Sequence, residues 1–311
     1  MSMFVVGVDG GGSHTRVSVA DEAGHVLGAA EGPGSAVRPG AASASAEIIA
    51  ATVREALDKA GQQPAVPRVL CAGVAGVGRE PEREALTQAL AALGLADEVV
   101  VYSDALIGLE DAFGTGAGIL VTAGTGSIAW GRGPTGATAR CGGWGPVCGD
   151  EGSGVWLGRR ALSVVTASYD GREMETALTG AVLTATECGD VSELVPWAAH
   201  ASAADLAALA RVVLQVAQGG DLRANSLVSL AVEELLLHAR TLARQLFVDE
   251  RVAIPMALGG GLMARGSLLR KRMYARLKTA LPGAVLRDDE VVPVRGAVAA
   301  ALRAGRASPT T

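Results

Sequence analysis

The chain has 311 residues, among them 42 glycines, with 49% apolar and 19% charged residues and a formal net charge of −5. That apolar content excludes a disordered chain, and the acidic balance (pI near 5.5) leaves no electrostatic footprint for nucleic acid. The uncharged stretch from Phe113 to Gly131 is broken by six glycines, so no membrane-spanning helix of about 20 apolar residues is expected, nor any polybasic membrane anchor.

Length predicts two domains at roughly 150 residues each. The opening MSMFVVGVDG lacks a basic n-region and a small-residue cleavage site, so no secretory signal is expected and a cytoplasmic location is. Phe4 to Asp9 reads as a buried strand running into the turn Gly10-Gly11-Gly12. Thr15 to Ala20 alternates with period two, and His25 to Ala30 follows a second turn, so three antiparallel strands are predicted. A helix over Ala41 to Ala60, a strand over Val69 to Val74, a helix over Glu82 to Leu93, a strand over Val99 to Tyr102 and a helix over Ala105 to Phe113 complete a βββαβαβα order.

The strand–turn–strand opening recurs at Gly118 to Ala123, Gly124-Thr125-Gly126-Ser127 and Ile128 to Gly131, with a third strand near Thr138 to Cys141. Helices are then predicted over Gly154 to Ser168, Ala203 to Gln218 and Ala224 to Phe247. Strand Val252 to Leu258, the run Gly259-Gly260-Gly261, helix Met263 to Leu281, strand Ala284 to Leu286 and helix Val294 to Arg303 close the chain. The whole reads as a duplicated α/β unit with helical insertions in its second half.

Cys71, Cys141, Cys148 and Cys188 form no C-x-x-C pair and are expected to be reduced thiols, Cys148 serving as a small hydrophobe. His14, His25, His200 and His238 lack the spacing of a metal site or triad and are expected in surface or core roles. The glycines admit three nucleotide-binding readings. A Walker A loop is excluded because the chain contains no Gly-Lys dipeptide, and the G-x-G-x-x-G match at Gly131 to Gly136 is discounted because Pro134 and the glycines prevent a helix from starting there. The third reading is a pair of glycine-turn hairpins that grip a polyphosphate between two lobes, Ser13 and Thr15 adding hydroxyls. For either turn alone, a plain β-turn competes.

Several segments together resemble the sugar-kinase, heat-shock 70 and actin superfamily of ATPases, and within it the BadF/BadG/BcrA/BcrD ATPase family in its N-acetylglucosamine kinase-like branch. They are Val8-Asp9-Gly10-Gly11-Gly12-Ser13-His14-Thr15, Ala72-Gly73-Val74-Ala75-Gly76, Ser103-Asp104-Ala105 and Thr122 to Ser127. Cys141-Gly142-Gly143-Trp144-Gly145 followed by Gly149-Asp150-Glu151-Gly152-Ser153 is the most specific part. Ala257 to Gly261 and Pro293 to Ala297 extend the likeness to nearly the whole chain.

The resemblance implies an α/β fold of duplicated ribonuclease H-like (actin-like ATPase) domains, each a mixed βββαβαβα sheet with flanking helices, with a cleft between lobes. The lobes would be 1–115 plus about 293–311, and 116–292. It implies ATP-dependent phosphorylation of an amino sugar or hexose, N-acetylglucosamine or glucosamine favoured, at the 6-hydroxyl. Asp104 would be the catalytic base and Asp9 the holder of Mg²⁺ through water, the competing readings being a helix cap for Asp104 and a turn cap for Asp9. ATP would be bound by Gly10, Gly11, Gly12, Ser13, Thr15, Gly124, Thr125, Gly126, Gly259, Gly260 and Gly261. The sugar would meet Ser35, Gly76, Asp104, Gly143, Trp144 and Asp150. Glu151 would cap the following helix or meet the sugar, and Trp144 by itself reads also as a packing residue. One departure concerns Ser35, which occupies the place of a sugar-binding Asn in relatives; the single Asn of this chain is Asn225. The partner expected is a small-molecule sugar, without nucleic acid or membrane, and a homodimer is an assembly that relatives often form. The competing expectation is an ATPase acting as a nucleotide-dependent activator of a partner enzyme, of the 2-hydroxyacyl-CoA dehydratase type, for which Cys141 and Cys148 are the only cysteines near a glycine-rich segment.

Overall fold

The protein is described by a computed structural model covering residues 3–62, 64–249 and 252–307. The chain separates into two compact units, residues 1–116 with 291–311, and residues 117–290. Both are α/β with a mixed five-stranded sheet and flanking helices, a duplicated unit as the repeated strand–turn–strand pattern predicts and of the ribonuclease H-like kind that the family resemblance implies. Among the described residues no helix is long and apolar enough to cross a membrane.

In the first unit the elements are β1 (Phe4–Gly10), β2 (His14–Asp21), β3 (Val26–Pro33), α1 (Ala42–Lys59), β4 (Val69–Val74), α2 (Glu80–Ala92), β5 (Glu98–Ser103) and α3 (Asp104–Phe113), with α10 (Pro293–Ala307) returning from the far end of the chain. The sheet order is β3-β2-β1-β4-β5, with β1 antiparallel to β2 and parallel to β4. β4 is buried at every position, as a central parallel strand covered on both faces must be. On one face α1 and α2 enclose Val6, Val8, Ile49, Val53, Leu70, Leu86 and Leu90. On the other, Ala297, Val298 and Ala301 of α10 pack with Val5, Val69, Cys71 and Ile107.

The second unit contains β6 (Gly118–Ala123), β7 (Ser127–Arg132), β8 (Thr138–Gly142), α4 (Gly154–Tyr169), α5 (Leu178–Thr186), α6 (Leu194–His200), α7 (Ala203–Gln218), α8 (Leu222–Leu246), β9 (Ile254–Gly259), α9 (Leu268–Ala280) and β10 (Ala284–Leu286). Its sheet order is β10-β9-β6-β7-β8. The buried stripe of α8 runs through Val228, Val232, Leu235, Ala239 and Leu242 and packs with Ile119, Leu157, Leu209 and Val213.

Three expectations are corrected. The stretch between α4 and α7, predicted without helix, folds into α5 and α6; both are short, and α5 ends on the left-handed residue Glu187. The helix expected from Met263 starts at Leu268, because Gly266 lies at φ +80° and Ser267 caps the Arg270 N–H, leaving Gly261–Met263 as a single 3-10 turn. Cys148, expected as a small hydrophobe, is exposed. The Gly131 to Gly136 match is a hairpin turn between β7 and β8, closed by the Gly133 N–H donating to Ala137 O, with no helix behind it.

Candidate active site

Parallel strands end in register, and that brings the acids of the first unit to one edge. Asp9 pairs with Gly73, and Gly73 with Tyr102; one step on, Gly10, Val74 and Ser103 are aligned. Asp104 is therefore the first residue beyond the same sheet edge that carries Asp9 two strands away. Ser103 caps α3 by accepting the Leu106 N–H at 3.3 Å, which turns the chain sharply and fixes Asp104 at the helix start. Burial and the Asp104 carboxylate push the Asp9 pKa up to about 6, against the pull of Arg16. Burial also raises Asp104, opposed by the backbone N–H groups of Ala105 and of Asp104 itself. Two carboxylates that resist ionisation at one sheet edge form a place where a cation, or the proton of a hydroxyl, is welcome.

The β1–β2 turn beside them is knitted from below. Gly11 O accepts from Ser35 N (3.0 Å) and Ala36 N (3.1 Å), Ala75 N donates to Gly10 O (2.8 Å), and Val37 N donates to Ala75 O (2.8 Å). Gly12 and Ser13 stand exposed at the tip. Thr15 and Ser35 do not. They are 0% and 1% exposed; the Thr15 hydroxyl donates to Pro33 O at 2.5 Å and lies 2.8 Å from Ser35 Oγ. Their hydroxyls are engaged inside the unit and brace the turn. Gly76 is exposed beside this knot, at φ +90° and close against the Val37 carbonyl.

In the second unit β6 lies between β7 and β9, and this order sets two glycine segments side by side. The β6–β7 hairpin turns at Gly124-Thr125-Gly126, with Gly124 N donating to Gly126 O at 2.9 Å. β9 ends at Gly259, level with Thr122. Gly260 follows at φ +87°, so close to β6 that a Cβ would stand 2.4 Å from Ala123 O. Gly261, by contrast, faces open space. The segment is held from behind by Arg270, 9% exposed, whose Nη1 donates to Leu258 O (3.0 Å) and Met263 O (3.1 Å). The N-terminus of α4 closes on the hairpin, with Gly154 N donating to Gly124 O and Val155 N to Thr125 O.

The loop between β8 and α4 is the most contorted of this unit: Gly142, Gly143, Gly145 and Gly152 take positive φ, and so does Asp150 at φ 58°, a strained setting for a residue with a side chain. Asp150 is 8% exposed; its Oδ1 accepts the Gly145 N–H at 3.1 Å, and its Oδ2 lies against Gly126. Gly143 N donates to Ser127 O at 3.1 Å. Trp144 is 66% exposed, with the Arg140 guanidinium 4.4 Å from its ring centroid. This Trp is presented to solvent rather than packed. The expected residues of the second unit, Gly124 to Gly126, Gly143, Trp144, Asp150 and Gly259 to Gly261, thus share one edge of its sheet.

One side chain here, Arg270, escaped sequence reasoning, and a second, His238, was expected only in a surface or core role. Arg270 follows the cap Ser267 by three and sits on a helix among basic residues, so nothing in the sequence separated it from solvated neighbours. His238 lies on the buried face of α8 against Gly142, with Nε2 3.8 Å from Glu151 Oε2. Its signal was a polar residue at a position of the apolar stripe. Among the described residues no group of three His, Cys, Asp or Glu is arranged to hold a metal by itself.

A family model described as the BadF/BadG/BcrA/BcrD ATPase family matches residues 6–302. The chain is 30% identical over 261 residues to the N-acetylmuramic acid/N-acetylglucosamine kinase of Clostridium acetobutylicum, covering 83% of this chain and 85% of that one. It is 25% identical to the N-acetyl-D-glucosamine kinase of Dictyostelium discoideum, over 96% and 97% of the two chains. The crystal structure of a Chromobacterium violaceum protein proposed to be an N-acetylglucosamine kinase is 31% identical, covers 96% of this chain and 98% of its own, and superposes with a TM-score of 0.80.

Proposed function

The chain belongs to the BadF/BadG/BcrA/BcrD ATPase family, and on that premise we propose that it transfers the γ-phosphoryl group of ATP to the 6-hydroxyl of an amino sugar or hexose, N-acetylglucosamine or glucosamine foremost. The observation that carries this reading is the Asp9 and Asp104 pair at one sheet edge beside an exposed glycine turn, each carboxylate with a raised pKa. The names of the two curated relatives, both sugar kinases, support the choice of acceptor.

Asp104 is the base that orients the acceptor hydroxyl and takes its proton; a carboxylate lifted towards working pH by burial is suited to that exchange. Asp9 would hold Mg²⁺ through water, which fits a buried acid whose ionised form is repelled by Asp104 and favoured by Arg16 alone among the charges that shift it. When bound, the magnesium ion offsets charge on the nucleotide phosphates. Gly10 to Gly12 with Ser13, and Gly124 to Gly126, form the two turns that receive the phosphates, their glycines allowing close backbone approach. Thr15 acts from beneath the first turn. Gly259, Gly260 and Gly261 receive the adenosine, Gly260 for its close approach to β6 and Gly261 for the open space at its Cα.

Gly143, Trp144 and Asp150 receive the sugar in the second unit, and Gly76 and Asp104 in the first. Asp150 accepts the Gly145 N–H on one oxygen, and a carboxylate has further lone pairs with which to accept hydroxyls. Ser35 contributes by holding Thr15 rather than by offering an amide, so the sugar is recognised with one hydrogen-bonding group fewer than an Asn would supply. A coupled assay of ADP release with ATP, Mg²⁺ and a panel of N-acetylglucosamine, N-acetylmuramic acid, glucosamine and glucose tests the proposal. Stimulation by at least one sugar is expected; ADP release that no sugar raises above the background rate overturns it.

A further inference from the structure

His238 is 8% exposed, and its Nδ1 is buried without a hydrogen-bond partner among the described residues. A buried ring nitrogen of that kind calls for an account, because an unmet N–H is among the costlier polar groups to bury and an unmet lone pair among the cheaper. Burial holds the imidazole below its ordinary pKa even though the Glu151 and Glu234 carboxylates both pull it up, so the ring is neutral at pH 7. A neutral ring has one N–H. With nothing to receive it at Nδ1, the proton belongs on Nε2, which faces Glu151 Oε2 at 3.8 Å.

The surroundings fix the ring and leave the acid adjustable. A Cβ on Gly142 would stand 2.9 Å from His238 Cε1, so the ring is wedged beneath the loop that also carries Gly143 and Trp144. Glu151 has its backbone anchored by the Ser127 hydroxyl, which donates to Glu151 O at 2.7 Å, while its side chain is 37% exposed. A distance of 3.8 Å exceeds a hydrogen bond and is too short for an intervening water. The pair is one small rotation of the Glu151 side chain from closing.

Resting on the kinase reading, we propose that His238 is a positioning residue for the sugar: its Nε2–H binds Oε2 of Glu151 and turns Oε1 to receive a hydroxyl of the bound substrate. The charge-assisted bond from histidine to carboxylate holds in place an acid that would otherwise sample solvent, and the sugar gains an acceptor that is ordered before it binds.

The test combines steady-state kinetics with N-acetylglucosamine and ATP, a double-mutant cycle, and the ring nitrogens of a four-histidine protein observed by ¹H–¹⁵N spectroscopy. His238→Leu is expected to raise KM for the sugar about 10-fold or more while KM for ATP stays within about twofold. His238→Gln, which can place an N–H near the same point, recovers most of that loss. In a Glu151→Ala background His238→Leu adds no further effect, as two residues acting through one contact require. The spectrum shows the Nε2–H tautomer and a shift of that proton when N-acetylglucosamine is added. Additive kinetics in the cycle, an Nδ1–H tautomer, or a sugar KM indifferent to His238→Leu overturns the positioning role. A wild-type protein inactive on every sugar overturns the kinase reading itself, and these two failures are told apart by the wild-type measurement alone.

Discussion

At Asp9, a carboxylate whose folded pKa of about 6 exceeds its ordinary value, stability and function pull in opposite directions. Protonated Asp9 favours the fold fully below pH about 3.9, and the contribution is lost as pH rises through about 6. Asp9→Asn is therefore expected to melt a few degrees above wild type at pH about 7.5 without divalent cation, the gain vanishing near pH about 4. Equal melting temperatures across that range would show that Asp9 is not destabilised by burial and Asp104. Asp104→Asn keeps the size of the side chain and its place at the α3 start but cannot accept a proton. Its kcat with N-acetylglucosamine is expected to fall about 10²–10⁴-fold, while calorimetry still finds ATP bound. Near-normal turnover would remove Asp104 from the base role. Both acids were legible in the sequence, because each ends a strand-like run and precedes a turn or helix. The states of Thr15 and Ser35 were not. A hydroxyl beside a glycine turn reads as a phosphate or sugar ligand until the third strand is seen to bury it.

Elements place the glycine segments, and here the reading from sequence was most successful where local signals agreed. The strands Val69–Val74 and Gly118–Ala123 are those expected residue for residue, since an apolar run bounded by Gly, Pro or charge has few other ways to fold. α9 begins at Leu268 rather than Met263 because its start is decided by one left-handed glycine and one serine cap, both weaker signals than the apolar run behind them. Gly260 carries a prediction at this scale. With φ +87° and a Cβ 2.4 Å from Ala123 O, Gly260→Ala meets both backbone strain and a clash with a carbonyl that β6 cannot yield. A loss of about 2 kcal/mol or more and a raised KM for ATP, with the sugar KM less affected, are expected from denaturation and kinetics. Arg270→Met tests the same segment from behind: it removes the bonds to Leu258 O and Met263 O, and its ATP KM should rise while Asp104 chemistry is untouched. An unchanged ATP KM in both variants would detach Gly259 to Gly261 from adenosine.

At the scale of the whole molecule, the first unit is discontinuous: α10 arrives from the end of the chain to cover the face of β1, β4 and α3. The approach is close enough that a Cβ on Gly296 would stand 1.9 Å from Ile107 O, and Asp111 ties down the helix start through Val292 N (2.7 Å) and Arg295. Gly296→Val is expected to unfold the first unit at a much lower denaturant concentration, with exposed Val5 and Ile107 reported by protease cleavage inside residues 3–116; a wild-type cleavage pattern would refute this packing. The sequence by itself determined the fold class, the order of nearly all elements and the position of the acids and glycine turns, because apolar period, turn residues and caps act within a few residues of one another. Only the tertiary structure decided which strands lie side by side, and hence that Asp9 and Asp104 share one sheet edge, that Gly124 to Gly126 lies beside Gly259 to Gly261, that Thr15 and Ser35 are buried, and that His238 faces Glu151. Those are contacts between segments far apart in the chain, and they are set by which faces must be covered together, a property of the assembled core that no local pattern encodes.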